Sequence, residues 1–537
     1  MAQISYRANL SAATFPLTVG EGGRTVIVPG PDNNFDRRVD PTGEQKNAGI
    51  PQALYMENVI PTSNGYQSVG YSQFTTPMVT LGNPIVKVSK VFASLLDNNY
   101  INFIYETSTG LKKAGTTGAE PVLTGAWSNT DRVTSCTVRG VAYIYAGYKL
   151  YTSAGSTGDL TVVDVTATVT PSGFFTTNNI RSILSFANYL IAVSGTGEIF
   201  WASTTNPLDF VASLVSGAGN IIPLGLRGIY IETGLAADGW YIYTTETALF
   251  VEYTGNARYP FRFSTVKGFS GISGSAYTAG VPTVAGGDNF SGNVVIDSYG
   301  KVRFIQKTAI TDLFPEISDY LERVIYQEVF DSATNTFTTT SVSTASPSIT
   351  LWQDRFVILS INDSSDTTVQ YTHALIYDSL LQRLGKLKIK HKFVVTFNAS
   401  KGAPGLGFID AVAGTISYLN MDIYGSPINF MTVVPHDAVL ILGKFQYVRS
   451  RMMQLLEIEA EGAQNTDVIT SPNFECVVLP SLDGRNFDPA VIPSSEVLMG
   501  ELATYRLRHT AKNHSLVFKG AFSLSSVQLT FVPSSGR

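Results

Sequence analysis

The sequence predicts an all-β chain: a β-propeller of about six blades with an N-terminal arm, a C-terminal antiparallel β domain and one inserted amphipathic helix. The prediction begins with a repeating unit. In Asn188-Tyr-Leu-Ile-Ala-Val-Ser-Gly-Thr-Gly-Glu-Ile-Phe-Trp-Ala-Ser203, two apolar runs flank Ser194-Gly-Thr-Gly197, so an extended segment reverses on a glycine-rich turn and returns as a second strand. The unit recurs. Looser echoes run from Val141 to Tyr151, Gly239 to Tyr253 and Asn293 to Phe304, and in weaker form from Val91 to Tyr105 and Phe356 to Tyr377; their spacing of roughly 45–60 residues is at or just above the period of four-stranded propeller blades. Composition agrees: 47 Gly, 24 Pro, 26 Tyr and 30 Phe with only 15% charged residues suit short strands and tight turns, not disorder or a coiled coil.

Three ranges are expected: an arm with its hairpin over 1–75, the propeller over 76–430 and the C-terminal β domain over 431–537. In the arm, recurring Pro and Gly from Gly20 to Pro61 break any long element, leaving Arg24 to Pro29 as a short strand. Asp32-Asn-Asn-Phe-Asp36 superficially suggests a calcium loop, but Arg37 stands where the sharp turn needs glycine and Gly43 where the bidentate Glu should be; it reads as an asparagine-rich turn. Ala53 to Pro61, Thr62-Ser-Asn-Gly65 and Tyr66 to Tyr71 read as strand, turn and strand.

Within the propeller range, Thr204-Thr-Asn-Pro-Leu-Asp-Phe210 is a loop begun by Asn206-Pro207 and anchored by Phe210. The glycines from Gly268 to Gly274 do not have dinucleotide spacing, and no phosphate-binding loop occurs. Pro315 to Phe330 has helical periodicity, with Phe314, Ile317, Leu321, Val324 and Ile325 on one face and Glu316 and Asp319 near the positive end of the dipole. Lys386, Lys388, Lys390 and Lys392 alternate with Leu387, Ile389 and His391, so on a strand all four ammonium groups share a face. That stripe suits DNA or an acidic neighbour, or else protects an edge strand against unwanted pairing. Beyond residue 431, Tyr447 to Glu459, Phe474 to Pro480, Tyr505 to His509, Leu516 to Gly520 and Val527 to Val532 are expected strands.

The candidate chemistry is sparse. Cys136 and Cys476 match no metal or redox spacing and read as core thiols. The five histidines, His373, His391, His436, His509 and His514, form no zinc pattern, and a turn at Lys512-Asn513 is expected to separate the last two. No catalytic, metal or cofactor residues are assigned, and the chain is not expected to be an enzyme. A net charge of −5 without a block of like charge argues against tight nucleic-acid binding but suits a conduit past which DNA slides. No apolar run approaches the ~20 residues of a membrane span, and Met1 to Arg7 has no secretory character.

Short phrases along the chain resemble the tail hub or nozzle proteins of short-tailed bacteriophages, the family that includes packaged-DNA stabilisation proteins. They are Asn58-Val-Ile-Pro61 with Gly65-Tyr66 and Ser68-Val-Gly-Tyr71; Asn206-Pro-Leu-Asp-Phe210 after the strand holding Trp201; the single helix followed by a strand pair ending at Tyr377-Asp378; and Ser481-Leu-Asp-Gly-Arg-Asn-Phe487 before the closing strands. Leu384 stands where that family often has Trp. The resemblance implies a structural component of the virion tail, a ring (hexamer) joined to a portal adaptor protein, carrying tail fibres or spikes and a plug or needle. Its lumen would retain the genomic double-stranded DNA and conduct it, without sequence-specific binding, during ejection. The alternative is a carbohydrate-binding or glycan-cleaving propeller: Ser481 to Phe487 faintly resembles the Asp box of sialidase-like propellers, but it lacks the spacer before Gly484, has Phe487 for Trp and occurs once.

Overall fold

The computed structural model describes main chain and side chains over 57–62, 65–71, 134–152, 163–256, 259–272, 283–313, 347–362, 370–380 and 384–394, with shorter stretches up to Leu524, and the placement alone of the further strands named below. Two compact units emerge: Phe74–Thr372 with Lys390–Tyr418, and Met1–Gln73 with His373–Ile389 and Leu419–Arg537. The sequence ranges 1–75, 76–430 and 431–537 stand beside this division, in which the first and last parts of the chain share a unit.

The larger unit is a β-propeller. Five antiparallel four-stranded sheets follow one another, spanning Ile85–Pro121, Thr134–Asp164, Ile180–Ile221, Tyr230–Thr265 and Val284–Asp312, each with its strands paired in chain order. Ser348–Trp352 then pairs with Phe356–Ile361, and Phe393–Asn398 with Pro404–Asp410, which pairs in turn with Thr415–Asn420. The leading strands pack in a cycle. Thr134–Val138 lies against Ile180–Phe186, which lies against Tyr230–Ala236; Val284–Ala285, Ser348–Trp352 and Phe393–Asn398 continue the series, and the last lies against Ile85–Val88, the leading strand of the first sheet. Among the described residues the circle thus has seven leading strands.

The third sheet explains why the sequence builds this circle. Its second strand, Tyr189–Ser194, is buried at every position. Alternation sends Leu190 and Ala192 into a core shared with the second sheet, and Tyr189, Ile191 and Val193 into one shared with the fourth. The fourth sheet repeats the device: Trp240 and Ile242 face the third sheet, Tyr241 and Tyr243 the fifth. A strand buried on both faces reads as a continuous apolar run, which is how these segments appear in the sequence. Ile191, Ala192 and Val193 lie opposite Trp201, Phe200 and Ile199. The turn between them needs glycine at Gly197, where φ is 82° and a Cβ would fall 2.0 Å from Leu226.

The echoes at Val141, Gly239 and Asn293 are hairpins, and strands stand at Phe356–Ile361 and Tyr371–Asp378. Most of the Val91 to Tyr105 echo lies outside the described residues. So does the predicted helix up to residue 326, but Gln327–Asp331 is a strand paired with Thr336–Thr340, so no helix reaches Phe330. Val329 and Phe330 favour a strand, and so do Thr338 and Phe337 opposite them.

In the smaller unit, Val59–Pro61 and Tyr66–Ser68 form the expected hairpin, closed by a 2.9 Å bond from Thr62 N to Gly65 O. The expected strand from Ala53 to Pro61 is broken at Asn58, whose φ of 55° lies in the left-handed region that Asn tolerates better than most residues. Ala53–Glu57 therefore pairs with Val439–Gln446 while Val59–Pro61 pairs within another sheet. Ile4–Asn9 pairs with Ser523–Pro533, which also pairs with Met453–Ala463, joining the two ends of the chain. Glu475–Ser481, Leu502–Ala511 and Asn513–Lys519 supply the other expected strands.

Phe210 anchors its loop as expected, stacked on Phe174 with ring centroids 4.2 Å apart. Phe210→Ala is therefore expected to lower unfolding free energy by about 3–5 kcal/mol, read from denaturant titration of the purified chain.

Candidate interaction surface

Of the four lysines singled out in the sequence, Lys386 is buried on Arg383–His391, opposite Val59. Lys388 is exposed, its ammonium 3.2 Å from Glu57 Oε1, while its N–H donates to Asn58 Oδ1 at 2.9 Å. Lys390 is exposed, and Lys392 lies just beyond the strand, half-buried, with its ammonium 5.4 Å from the centre of the Phe393 ring; burial lowers its pKa. Arg383–His391 runs between Tyr371–Asp378 and Val59–Pro61, so the edge-strand reading does not hold.

His391 is fully buried, bonded through Nε2 to Ser360 Oγ at 2.8 Å between the rings of Tyr371 and Phe408. His509 and His514 belong to strands of different sheets. His436, the 32–36 turn and residues 482–487 lie outside the described residues. Cys136 and Cys476 form no disulfide; Cys136 is half-buried and Cys476 buried. Among the described residues no cluster of three His, Cys, Asp or Glu could hold a metal, and no helix is long and apolar enough to cross a membrane.

The buried polar groups link neighbouring sheets. Tyr145 Oη donates to Ile180 O at 2.6 Å, from second sheet to third; Tyr230 Oη and Ser182 Oγ, 2.5 Å apart, join fourth to third; Tyr241 Oη donates to Ile305 O at 3.3 Å, from fourth to fifth. Asn293 adds a link between the fourth and fifth sheets. With its amide turned to satisfy both ends, it donates to Leu235 O (2.6 Å) and Gly292 O (2.9 Å) and accepts from Tyr243 Oη (3.1 Å). Burial and the neighbouring Tyr241 hold the Tyr243 hydroxyl well above its ordinary pKa, so it remains a donor. Asp297 accepts from Tyr299 N and Lys301 N, both at 2.9 Å, and from Arg303 Nε at 3.1 Å, while Arg303 also pairs with Asp312.

The outer edge of the third sheet is different. Gly219–Ile221 is its last strand, paired with Ile199–Trp201. The loop before it exposes Leu214 (81%) and Val215 (99%), and the segment after it exposes Ile222 (67%) and Leu224 (94%). Strand direction puts the two pairs at opposite ends of this short strand. The loop is nonetheless well built: Gly217 N donates to Ser213 O at 3.0 Å, Ser216 Oγ donates to Val211 O at 3.1 Å, and Trp201 Nε1 donates to Gly217 O at 3.0 Å. Large apolar side chains are thus held in water by a fixed main chain, a pattern that marks interaction surfaces. Local pattern in the sequence does not mark this rim, although Phe210 to Leu226 runs for 17 residues without a charge between Asp209 and Arg227.

No protein-family model and no curated protein matches the chain. Solved structures do resemble it in fold. The WD40 β-propeller domain of Doa1 is 9% identical with a TM-score of 0.37, covering 65% of this chain and 97% of that one. YCF48 bound to D1 peptide is 10% identical with a TM-score of 0.34, covering 67% and 97%. Saccharomyces cerevisiae Sqt1 is 9% identical with a TM-score of 0.35, covering 68% and 99%.

Two substitutions and a labelling test probe these interiors. Tyr243→Phe leaves Asn293 without its donor and should cost about 1–3 kcal/mol in chemical denaturation. Asp297→Ala leaves two N–H groups without their acceptor and Arg303 with Asp312 alone, and should cost about 1–3 kcal/mol. Burial pushes the Cys476 thiol up, so it stays protonated at mildly alkaline pH and should resist a thiol reagent in the native chain; Cys136 should react first, and both should react in denaturant.

Proposed function

We propose that the chain is a structural component of a bacteriophage virion tail, a hub or nozzle ring forming part of the channel that retains the genome and conducts it at ejection. The observation that carries the reading is the set of bare apolar side chains at Leu214, Val215, Ile222 and Leu224, a surface suited to a part built into an assembly. The resemblance of short phrases to tail hub proteins agrees with it. Propeller sheets leave short strand edges, so such a unit makes a stiff wall piece with little to template aggregation. Low charge density lets DNA pass without counterion-driven capture. In this reading the copies form a closed ring, a hexamer, attached to a portal adaptor protein and bearing fibres or spikes and a plug or needle, with the DNA in the lumen. The Lys388 and Lys390 ammonium groups are candidates for the side facing DNA or a partner.

Electron microscopy of particles labelled with an antibody to this chain is expected to place the label on the tail. Label elsewhere on the particle, no particle carrying the chain, or saturable binding or cleavage of a polysaccharide by the purified protein would overturn the reading.

A further inference from the structure

We infer that the turn over 211–218, between the third and last strands of the third sheet, is an anchor that enters the surface of a zwitterionic lipid bilayer. The inference goes beyond the assembly reading and does not rest on it: particle labelling asks where the chain resides, and lipid binding asks what this turn touches. The four bare side chains fall at opposite ends of Gly219–Ile221, so Leu214 and Val215 can meet a bilayer while Ile222 and Leu224 remain for a neighbouring protein.

The first argument is where the turn sends its polar groups. Main chain that enters lipid must find its hydrogen bonds internally, because water is not there to supply them. Here the N–H groups of Val215 and Ser216 donate to Ser213 Oγ at 3.1 and 3.2 Å, and that of Ala218 donates to Ser216 Oγ at 3.2 Å. Ser213 N donates to Ala218 O at 3.2 Å and Gly217 N to Ser213 O at 3.0 Å. Both serine hydroxyls are thus engaged within the turn, and Ser216 Oγ also donates to Val211 O. The large side chains left outside are Val211, Leu214 and Val215.

Shape and size select lipid over protein. Val215 is 99% exposed and Leu214 81%, so the pair stands clear of the fold as a convex tip. Even with Val211, these side chains offer well under the ~800 Å² that each partner brings to a stable protein complex. Leucine and valine are also scarce among the residues that dominate protein contacts, where tryptophan, tyrosine and arginine lead. A fluid bilayer needs no pocket shaped to such a tip, and its hold grows with the apolar area it covers.

The charges around the turn select the headgroup. Asp209, the nearest in sequence, has its carboxylate occupied at the base of the turn by Thr170 Oγ1 and Val211 N, both at 3.0 Å. Glu198, which accepts from Asn220 Nδ2 at 2.7 Å, and the exposed Arg227 belong to the other end of Gly219–Ile221. From Asp209 to Leu226 the chain holds no lysine or arginine, the residues that draw a protein to anionic lipid. The attraction is therefore apolar, and the headgroup it suits carries no net charge.

Flotation of the purified full chain with phosphatidylcholine vesicles tests the inference. The unaltered chain is expected to rise with the vesicles. Leu214→Asp and, separately, Val215→Asp should each lower partitioning at least tenfold, the least that loss of one buried leucine or valine side chain implies, with the thermal midpoint unchanged. Leu224→Asp, at the other end of the strand, should float as the parent does. A parent that stays in the unbound fraction, tip variants that float as well as the parent, an equal loss in Leu224→Asp, or flotation only when anionic phosphatidylglycerol is added would overturn the inference. A lowered midpoint in both tip variants would count against it, since these side chains would then belong to the fold. So would a parent that self-associates without lipid and loses that contact in the tip variants, because the tip would then seat a protein.

Discussion

The third and fourth sheets of the propeller cannot be satisfied alone, because the second strand of each is buried on both faces. Tyr189–Ser194 and Gly239–Thr244 are buried at every position, with alternate side chains committed to the sheet before and the sheet after. Each sheet therefore needs two neighbours, and a series with that need is satisfied by closing on itself. The cycle of leading strands, ending with Phe393–Asn398 against Ile85–Val88, meets it. The buried tyrosines sharpen the packing: an apolar ring fills the space between sheets while its hydroxyl reaches a carbonyl, serine or amide of the next, so the core gains orientation with these hydroxyls paired.

That constraint also gives the rim its meaning. Where the central strands of the third and fourth sheets draw their side chains between sheets, bare Leu214, Val215, Ile222 and Leu224 are not leftovers of a loose core. The main chain around Leu214 and Val215 is bonded, their loop is anchored through Phe210 and Trp201, and the inner parts of the same sheet are sealed. Surface of this kind is consistent with a part that is completed by a neighbour, and it is what joins the fold to the tail-ring proposal.

Hairpins were legible in the sequence because each needs a glycine turn between two apolar runs, and the loop at Asn206-Pro207 because its punctuation is local. Readings that failed were those in which distant contacts outrank local pattern. The break at Asn58 arises because the residues on either side pair with different sheets, a fact set by strands hundreds of residues away. Period alone suggested a helix to Phe330, while β-branched partners across a turn make a strand from Gln327. The lysine alternation correctly places Leu387 and Ile389 inside and Lys388 and Lys390 outside, yet burial of Lys386 depends on Val59 lying opposite. As for the rim, its signal was a missing one: an uncharged run is visible, but only exposure separates it from core.

Packing between sheets is the central claim, and hydrogen exchange on a Trp240→Leu variant tests it most directly, because Trp240 belongs to the fourth sheet and fills the core it shares with the third. Exchange should quicken in Tyr189–Ser194 as well as in Gly239–Thr244, and more than in the second sheet. Faster exchange confined to the fourth sheet would contradict the account, since the sheets would then be independent bodies rather than members of a mutually supporting circle.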